Sequence, residues 1–132
     1  MMNDMQGADK KKLIMIVDDS EDMCYLLEQI LETAGYRTIV IQDGLTALTQ
    51  ARLHLPDLIL MDLSLPGMNG WEVVEHLRKM SEFRSTPIIA VTAHVTKYEQ
   101  DRAREAGCSA HIGKPFDPGI LRESIARLLD KR

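Results

Sequence analysis

The stretch Leu58–Gly70, with the sequence LILMDLSLPGMNG, indicates the fold of this chain. Its first four residues are apolar and lie between Pro56 and Pro66, which at this length is typical of a strand buried on both faces. The run ends in Asp62. Because parallel sheets bind ligands beyond the carboxyl ends of their strands, an acid at this position can take part in chemistry. The alternative is that Asp62 only begins a turn, as most aspartates after strands do.

Four other short apolar runs lie along the chain, and each is followed by residues with helical spacing. Together with Leu58–Met61, the predicted strands are Leu13–Val17, Arg37–Ile41, Ile88–Val91 and Ser109–Ile112. Strict alternation of strands and helices predicts a parallel sheet with helices on both faces. The expected fold class is α/β: a doubly wound, flavodoxin-like sheet of five strands in the order 2-1-3-4-5.

The helical patterns differ in strength. The first begins at a Ser20 cap and ends at Gly35, and its predicted apolar face comprises Met23, Leu26, Leu27, Ile30, Leu31 and Ala34. The last has a similar face formed by Ile120, Leu121, Ile125, Leu128 and Leu129. The pattern over residues 95–106 contains few large apolar residues, which predicts a weakly held helix that can move. The polar segment 81–86 is expected to be a simple linker.

Composition describes one ordinary globular domain. The chain has 132 residues, of which 45% are hydrophobic and 27% charged, and its net charge is −4. This acidic balance argues against nonspecific binding to nucleic acid or to a membrane surface. No apolar run approaches the roughly 20 residues that cross a bilayer, and the N-terminus lacks the apolar core of a secretory signal. We expect a cytoplasmic protein with a flexible tail at residues 1–11 and one domain over residues 12–132.

The two cysteines and two of the histidines have no evident chemical role. Cys24 and Cys108 lack any CxxC or metal-ligand spacing, so they are expected to be buried or half-buried thiols in a reducing compartment. His54 and His76 are interpreted as solvated residues on helix faces.

Polar side chains follow strands that are predicted to be neighbours. Asp18 and Asp19 follow strand 1, Asp62 ends strand 3, Thr92 ends strand 4 and Lys114 follows strand 5. Carboxylates this close repel one another unless a cation lies between them, and oxygen ligands with room for water suit Mg²⁺. A phosphoryl group could bridge such a metal, with the Lys114 ammonium and the Thr92 hydroxyl on its oxygens. Asp62 would then be free to act as the nucleophile.

Four motifs in this order resemble the receiver domain of two-component response regulators. They are VDDS at Val17–Ser20, LILMDLSLPGMNG at Leu58–Gly70, VTA at Val91–Ala93 and GKPF at Gly113–Phe116. The resemblance covers Leu13 to about Leu129. The resemblance leads us to expect the stand-alone class with a CheY-like fold, since the sequence predicts no element after the last helix.

The resemblance implies a phosphorelay switch that assists only its own phosphorylation and dephosphorylation, and not an enzyme. Asp62 is the implied phosphoacceptor, taking the phosphoryl group from a phosphohistidine on a sensor histidine kinase or a histidine phosphotransfer protein. The implied Mg²⁺ ligands are Asp19, Asp62, the backbone carbonyl of Ser64 and, through water, Asp18. The implied phosphate-binding residues are Lys114, Thr92 and Ala93. The Lys114–Pro115 bond is expected to be cis.

Three positions bear on how such a switch would work. In the family that this chain resembles, a Tyr or Phe usually occupies the position of His111 and turns inward together with Thr92. His111 therefore either alters this step, with a possible pH dependence, or is a plain surface histidine. Ser64 and His94 occupy positions that tune the lifetime of the phosphate in this family.

Output is expected through protein binding, because phosphorylation would bias an existing equilibrium over residues 95–129. The expected contact face is formed by helix 4, strand 5 and helix 5, and includes Tyr98, Arg102 and His111. No nucleic acid or membrane is expected as a partner. A monomer is expected, and dimerisation on phosphorylation is left open.

Three other functions were set against this one. A phosphatase of the haloacid dehalogenase type usually needs a second Asp two residues after the nucleophile, where this chain has Ser64. A flavodoxin-like carrier needs a phosphate-binding loop after strand 1, where the acidic sequence DDSED would repel phosphate. The remaining alternative is a pseudo-receiver that is never phosphorylated and serves as a protein-binding scaffold. The five residues expected to form the site are nevertheless all present: Asp18, Asp19, Asp62, Thr92 and Lys114.

Overall fold

The computed structural model describes residues 11–93 and 96–130. Within these residues, five strands alternate with five α-helices. The strands are β1 (Leu13–Val17), β2 (Arg37–Ile41), β3 (Leu58–Asp62), β4 (Ile88–Thr92) and β5 (Ala110–Gly113). The helices are α1 (Glu21–Thr33), α2 (Gly44–His54), α3 (Gly70–Arg78), α4 (Lys97–Ala106) and α5 (Pro118–Asp130). Apart from Lys11, the predicted tail at residues 1–11 lies outside the described residues.

The five strands form one parallel sheet in the order β2-β1-β3-β4-β5. This order confirms the predicted doubly wound topology. The register places Val17 beside Met61, Asp62 beside Val91, and Thr92 beside Gly113. The carboxyl ends of four strands therefore finish at the same edge of the sheet, where the order of the strands reverses and ligand crevices form.

Two hydrophobic clusters cover the two faces of the sheet. Along β1, Met15 and Val17 belong to the cluster that α2, α3 and α4 cover, whereas Ile14 and Ile16 belong to the cluster beneath α1 and α5. Alternate residues of a strand point to opposite faces, so a strand buried on both faces must be apolar throughout. All five residues of β3 and all five of β4 are buried, and they are apolar except for the last residue of each strand, Asp62 and Thr92.

Side-chain caps begin four of the helices. Ser20, Asp43, Asn69 and Thr96 each accept a hydrogen bond from the backbone N–H three residues later. The predicted Ser20 cap is confirmed. Gly35 has a φ of 97°, which supports its predicted role in ending α1. None of the helices in the described part of the chain is long and apolar enough to cross a membrane.

Two predicted helix faces are partly wrong. Leu26 is 45% exposed and Ile120 is 57% exposed, although both were placed on buried stripes. The buried stripe of α1 is instead narrow and consists of Cys24, Leu27 and Leu31, which follow one another at spacings of three and four residues. A helix packed on a sheet buries only such a stripe. An apolar residue beside the stripe, such as Leu26, therefore remains exposed to solvent.

The end of β4 and the start of β5 also differ from prediction. Strand β4 continues through Thr92, and β5 begins at Ala110 instead of Ser109. Ser109 joins the sheet differently: its N–H donates to the carbonyl of Ile88, and its hydroxyl accepts from the N–H of Ile88. A side chain that bonds the neighbouring backbone replaces one rung of the ladder here.

Both cysteines have the burial that was predicted. Cys24 is buried and Cys108 is partly buried, and both are free thiols. Burial raises the pKa of Cys24 to about 11 and that of Cys108 to about 12. Thiols with these pKa values stay protonated near neutral pH, so they behave as small apolar groups and not as nucleophiles.

Segment 81–86 is more than the polar linker that was predicted. It contains a short 3₁₀ helix, Ser81–Phe83, and Phe83 is 1% exposed. The guanidinium of Arg78 holds this segment by donating to the carbonyls of Phe83 at 2.5 Å and Thr86 at 2.7 Å. It also donates to the carbonyl of Gly107, just after α4, at 2.9 Å. Burial lowers the pKa of Arg78, but the group remains charged.

We predict that Arg78→Met lowers the free energy of unfolding by about 2–3 kcal/mol, because three backbone carbonyls lose their donor in partly buried surroundings. Urea unfolding followed by circular dichroism measures this change. The adjacent exposed residue provides the control: Lys79→Met should stay within about 0.5 kcal/mol of wild type. Equal stability of the two variants would contradict the assigned role of Arg78.

Candidate functional site

Three carboxylates meet at the carboxyl edge of the sheet. Asp18 and Asp19 follow β1, and Asp62 is the last residue of the neighbouring strand β3. Each offers one oxygen atom, and these atoms all lie within 4.8 Å of one another. Asp18 and Asp62 are only 2% and 5% exposed, whereas Asp19 is open to solvent. The structure thus brings together the acids that the strand ends predicted.

The backbone that follows each strand holds the two buried carboxylates in place. The N–H of Ser20 donates to Oδ1 of Asp18 at 2.9 Å, and the N–H of Ser64 donates to Oδ1 of Asp62 at the same distance. These are Asx turns, in which an aspartate bonds the backbone two residues later. The Oδ2 atoms of both residues instead face the side chain of Lys114, so this pair of oxygens lines the interior of the site.

Lys114 is the cation of the site. Its Nζ lies 3.0 Å from Oδ2 of Asp18 and 3.6 Å from Oδ2 of Asp62. Burial alone would lower the pKa of Lys114, but the hydrogen bond to Asp18 and the charge of Asp62 together raise it. The backbone N–H of Lys114 donates to the backbone carbonyl of Thr92 at 2.7 Å, and this bond fixes the end of β5 against β4. The Lys114–Pro115 bond is cis, as expected.

The carboxyl group of Asp62 titrates at a raised pKa. Burial is the main cause, and the neighbouring charges of Asp18 and Asp19 add to it, while the Ser64 N–H and Lys114 oppose the change. Among the described residues, this cluster holds three carboxylates and one ammonium group, so negative charge is in excess. A cluster of carboxylate oxygens open on the Asp19 side is the donor set that Mg²⁺ prefers. The residues of this site therefore fit the predicted metal.

The other predicted site residues lie around this cluster. Thr92 is buried at the end of β4, and the next residue, Ala93, is exposed. Ser64 is exposed two residues beyond Asp62. The predicted tuning residue His94 lies outside the described residues.

His111 is exposed in β5, where it pairs in register with Ala90. Because Ala90 and Thr92 are two residues apart in β4, both lie on the face of the sheet that α4 covers. His111 therefore shares that face with Thr92, as the predicted switch pairing requires. His54 and His76 are exposed on α2 and α3, which agrees with their interpretation as solvated residues.

Gly70 supports the site in a way that its sequence context did not show. We expected it only to break the chain before a helix. In the structure, a Cβ atom at this position would lie 2.4 Å from the carbonyl oxygen of Asp62 and 2.7 Å from Cα of Leu63. The first turn of α3 thus rests directly on the backbone of Asp62, and only glycine allows this close approach. An asparagine cap followed by glycine at a helix start was the available signal.

Gly70→Ala should lower the free energy of unfolding by about 1–3 kcal/mol and displace the Asp62 backbone, because the added methyl group meets backbone atoms that cannot turn aside. Urea unfolding and the backbone amide chemical shifts of Ser64 report these two effects. Gly119→Ala is the matched control, since its Cβ atom would approach only the side chains of Asp117 and Arg122. Unchanged shifts and stability in Gly70→Ala would contradict the close contact.

Comparison with known proteins supports this geometry. The family model described as response regulator receiver domain matches residues 14–126. The polar-differentiation response regulator DivK of Brucella anthropi is 44% identical over 118 residues, which are 89% of this chain and 96% of that protein.

Two solved structures have the same fold as this chain. The Vibrio cholerae chemotaxis protein CheY4 superposes with a TM-score of 0.86 at 29% identity, covering 89% of this chain and 98% of that one. The receiver domain of the sensor histidine kinase PA1611 from Pseudomonas aeruginosa, which has a magnesium ion coordinated in its active site cleft, gives a TM-score of 0.85 at 29% identity. It covers 91% of this chain and 98% of its own. The chain described here belongs to the family of response regulator receiver domains.

Proposed function

We propose that this response regulator is a Mg²⁺-dependent phosphorylation switch in which Asp62 accepts a phosphoryl group from a phosphohistidine. One observation supports this most directly: the buried Oδ2 of Asp62 faces the Lys114 ammonium at 3.6 Å, inside the three-carboxylate cluster. A buried carboxylate beside a fixed cation is suited to receive an anionic group. The chain turns over no separate substrate, and it assists only its own modification.

In this proposal, Oδ2 of Asp62 attacks the phosphorus atom. The P–N bond to the donor imidazole breaks, and the imidazole leaves with the electron pair. Lys114 neutralises charge on the phosphoryl oxygens, while the Thr92 hydroxyl and the Ala93 backbone N–H donate hydrogen bonds to them. Lys114 already lies between the two Oδ2 atoms, so little rearrangement is needed to meet the incoming group.

Four groups would hold the metal. Asp19, Asp62 and the backbone carbonyl of Ser64 would bind it directly, and Asp18 would act through water. When bound, Mg²⁺ supplies positive charge beside the attacking carboxylate and the phosphoryl oxygens. The Asp18 carboxylate is already bonded to Lys114 and the Ser20 N–H, which supports its more distant role.

The donor would be a sensor histidine kinase or a histidine phosphotransfer protein. The output would be binding of another protein to the surface of α4, β5 and α5. Tyr98 and Ile120 are both more than half exposed on this surface, and exposed apolar residues are suited to protein contacts. His111 would take part in the switch with Thr92, and Ser64 and His94 would tune the phosphate lifetime. We expect a monomer in the unmodified state.

Acetyl phosphate with Mg²⁺ should add one phosphoryl group to the wild-type chain, detected by intact-mass spectrometry. Asp62→Asn should remove this addition, because an amide is not a nucleophile for phosphoryl transfer. Asp22→Asn changes an exposed acid on the first turn of α1 and should behave as wild type. No addition to the wild-type chain would favour the scaffold alternative and would remove Asp62 from its central role.

Mg²⁺ should raise the melting temperature of the wild-type chain by relieving repulsion among the three carboxylates. In chelator, Asp62→Asn should be more stable than wild type, because one of three mutually repelling carboxylates is removed from buried surroundings. Its melting temperature should then respond little to Mg²⁺. Thermal unfolding followed by circular dichroism measures both effects, with Ca²⁺ as the comparison ion. A variant less stable than wild type in chelator would contradict the assigned repulsion.

A further inference from the structure

Helix α4 has little apolar surface to hold it in place. Its buried residues are Ala103 and Ala106, whose side chains are single methyl groups. Helices α1, α3 and α5 each bury at least one larger apolar side chain, whereas α2, like α4, does not. Because hydrophobic stabilisation grows with the area removed from water, the position of α4 depends strongly on polar contacts.

The C-terminal end of α4 is firmly attached. The Arg78 guanidinium donates to the carbonyl of Gly107 at 2.9 Å, and the same guanidinium is fixed by the carbonyl of Thr86. Gly107 has a φ of 115°, and a Cβ atom there would lie 2.7 Å from Cγ of Arg78. The N–H of Cys108 also donates to the carbonyl of Ala103 at 2.9 Å. We call this attachment the Gly107 anchor.

A second attachment lies in the middle of α4 and differs in character. The guanidinium of Arg102 lies 4.8 Å above the ring centroid of Trp71, and its Nη1 lies 3.6 Å from Oε2 of Glu75. The side chains of Arg102 and Glu75 are 30% and 44% exposed. Cation–π contacts and ion pairs that water can reach are weak, so these contacts can open readily. We call Trp71, Glu75 and Arg102 the Arg102 clasp.

The environment of Trp71 supports an attachment that can rearrange. Within the described residues, the buried Nε1 of its indole has no hydrogen-bond acceptor. A buried N–H without an acceptor destabilises the arrangement that contains it. The closed clasp therefore contains one destabilising feature.

The two elements that the clasp joins each follow, in chain order, a strand that ends at the phosphoryl-acceptor site. Trp71 directly follows Gly70, whose backbone rests on the carbonyl of Asp62. Helix α4 is the element that follows Thr92 at the end of β4. Movement of Thr92 toward a phosphoryl group on Asp62 would therefore act on the chain that leads into the N-terminal half of α4. Of the two attachments of α4, the clasp is the weaker one.

We propose that the Arg102 clasp holds α4 against α3 in the unmodified protein, and that α4 pivots about the Gly107 anchor when the clasp opens. This proposal rests on the proposed function, since opening is coupled to occupancy of Asp62. Coupling of this kind works in both directions. Weakening the clasp therefore favours the open state and raises affinity for a group that mimics the phosphoryl on Asp62.

Amide hydrogen exchange of the metal-free protein tests the pivot without any phosphorylation. In Arg102→Gln, the amides of residues 100–103 should exchange roughly two- to fivefold faster than in wild type, as expected for loss of one weak contact. The amides of Gly107 and Cys108 should keep their wild-type rates. Arg104→Gln is the matched control, because Arg104 is on the same helix but pairs with Asp101 in solvent. Arg102→Lys should restore slow exchange in part.

Two exchange results would overturn the proposal. Wild-type rates in Arg102→Gln would show that the clasp does not hold α4. Equal acceleration at residues 100–103 and at Gly107 would show that α4 opens as a whole, with no pivot. Glu75→Gln removes the ion pair from the α3 side and should reproduce a smaller acceleration, which guards against an effect of misfolding in the Arg102 variant.

Binding of beryllofluoride with Mg²⁺, measured by isothermal titration calorimetry, tests the coupling. Arg102→Gln should bind roughly two- to fivefold more tightly than wild type, while Arg104→Gln should match wild type. Equal or weaker binding by Arg102→Gln would overturn the coupling. If wild type itself binds no beryllofluoride and acetyl phosphate adds no group, the proposed function fails, and hydrogen exchange still decides whether the clasp and pivot exist.

Discussion

The contact of the Lys114 ammonium with the buried carboxylates of Asp18 and Asp62 is the interaction around which the site is built. Two carboxylates that are almost completely buried would otherwise face each other with their charge uncompensated. Lys114 follows the edge strand β5, whereas the two carboxylates follow β1 and end β3, and β4 lies between β3 and β5. The contact therefore forms only when all four strands are in register. The site is therefore assembled only when these four strands have paired.

The surroundings of this ion pair divide into a part held by backbone contacts and a part held by weaker side-chain contacts. Backbone N–H groups fix one oxygen of each buried carboxylate, and Gly70 lets α3 rest on the Asp62 backbone. In contrast, α4 buries only two alanines and leans on contacts that water reaches. The proposed switch would use both features, because a loose site would not position a phosphoryl group and a rigid α4 could not report its arrival.

The sequence predicts the sheet and the site well for one physical reason. Strands buried on both faces are uniformly apolar, so β1, β3 and β4 appear as continuous runs, and the polar residues that end them mark the site edge. Leu26 and Ile120 were misplaced because periodicity does not reveal how narrow a buried stripe is. Arg78, Phe83 and the contact of Arg102 with Trp71 were not predicted, since each depends on segments that are brought together only by the fold.

The bonds of Arg78 have a consequence for how the chain can vary in length. One planar guanidinium reaches carbonyls at Phe83, Thr86 and Gly107, which belong to two separate connections. Surface loops usually tolerate insertions because their ends alone are fixed. Here the middle of the connection between α3 and β4 is fixed as well, and its geometry is shared with the end of α4. Insertions and deletions in this connection should therefore be rarer among related chains than in the turn between α1 and β2.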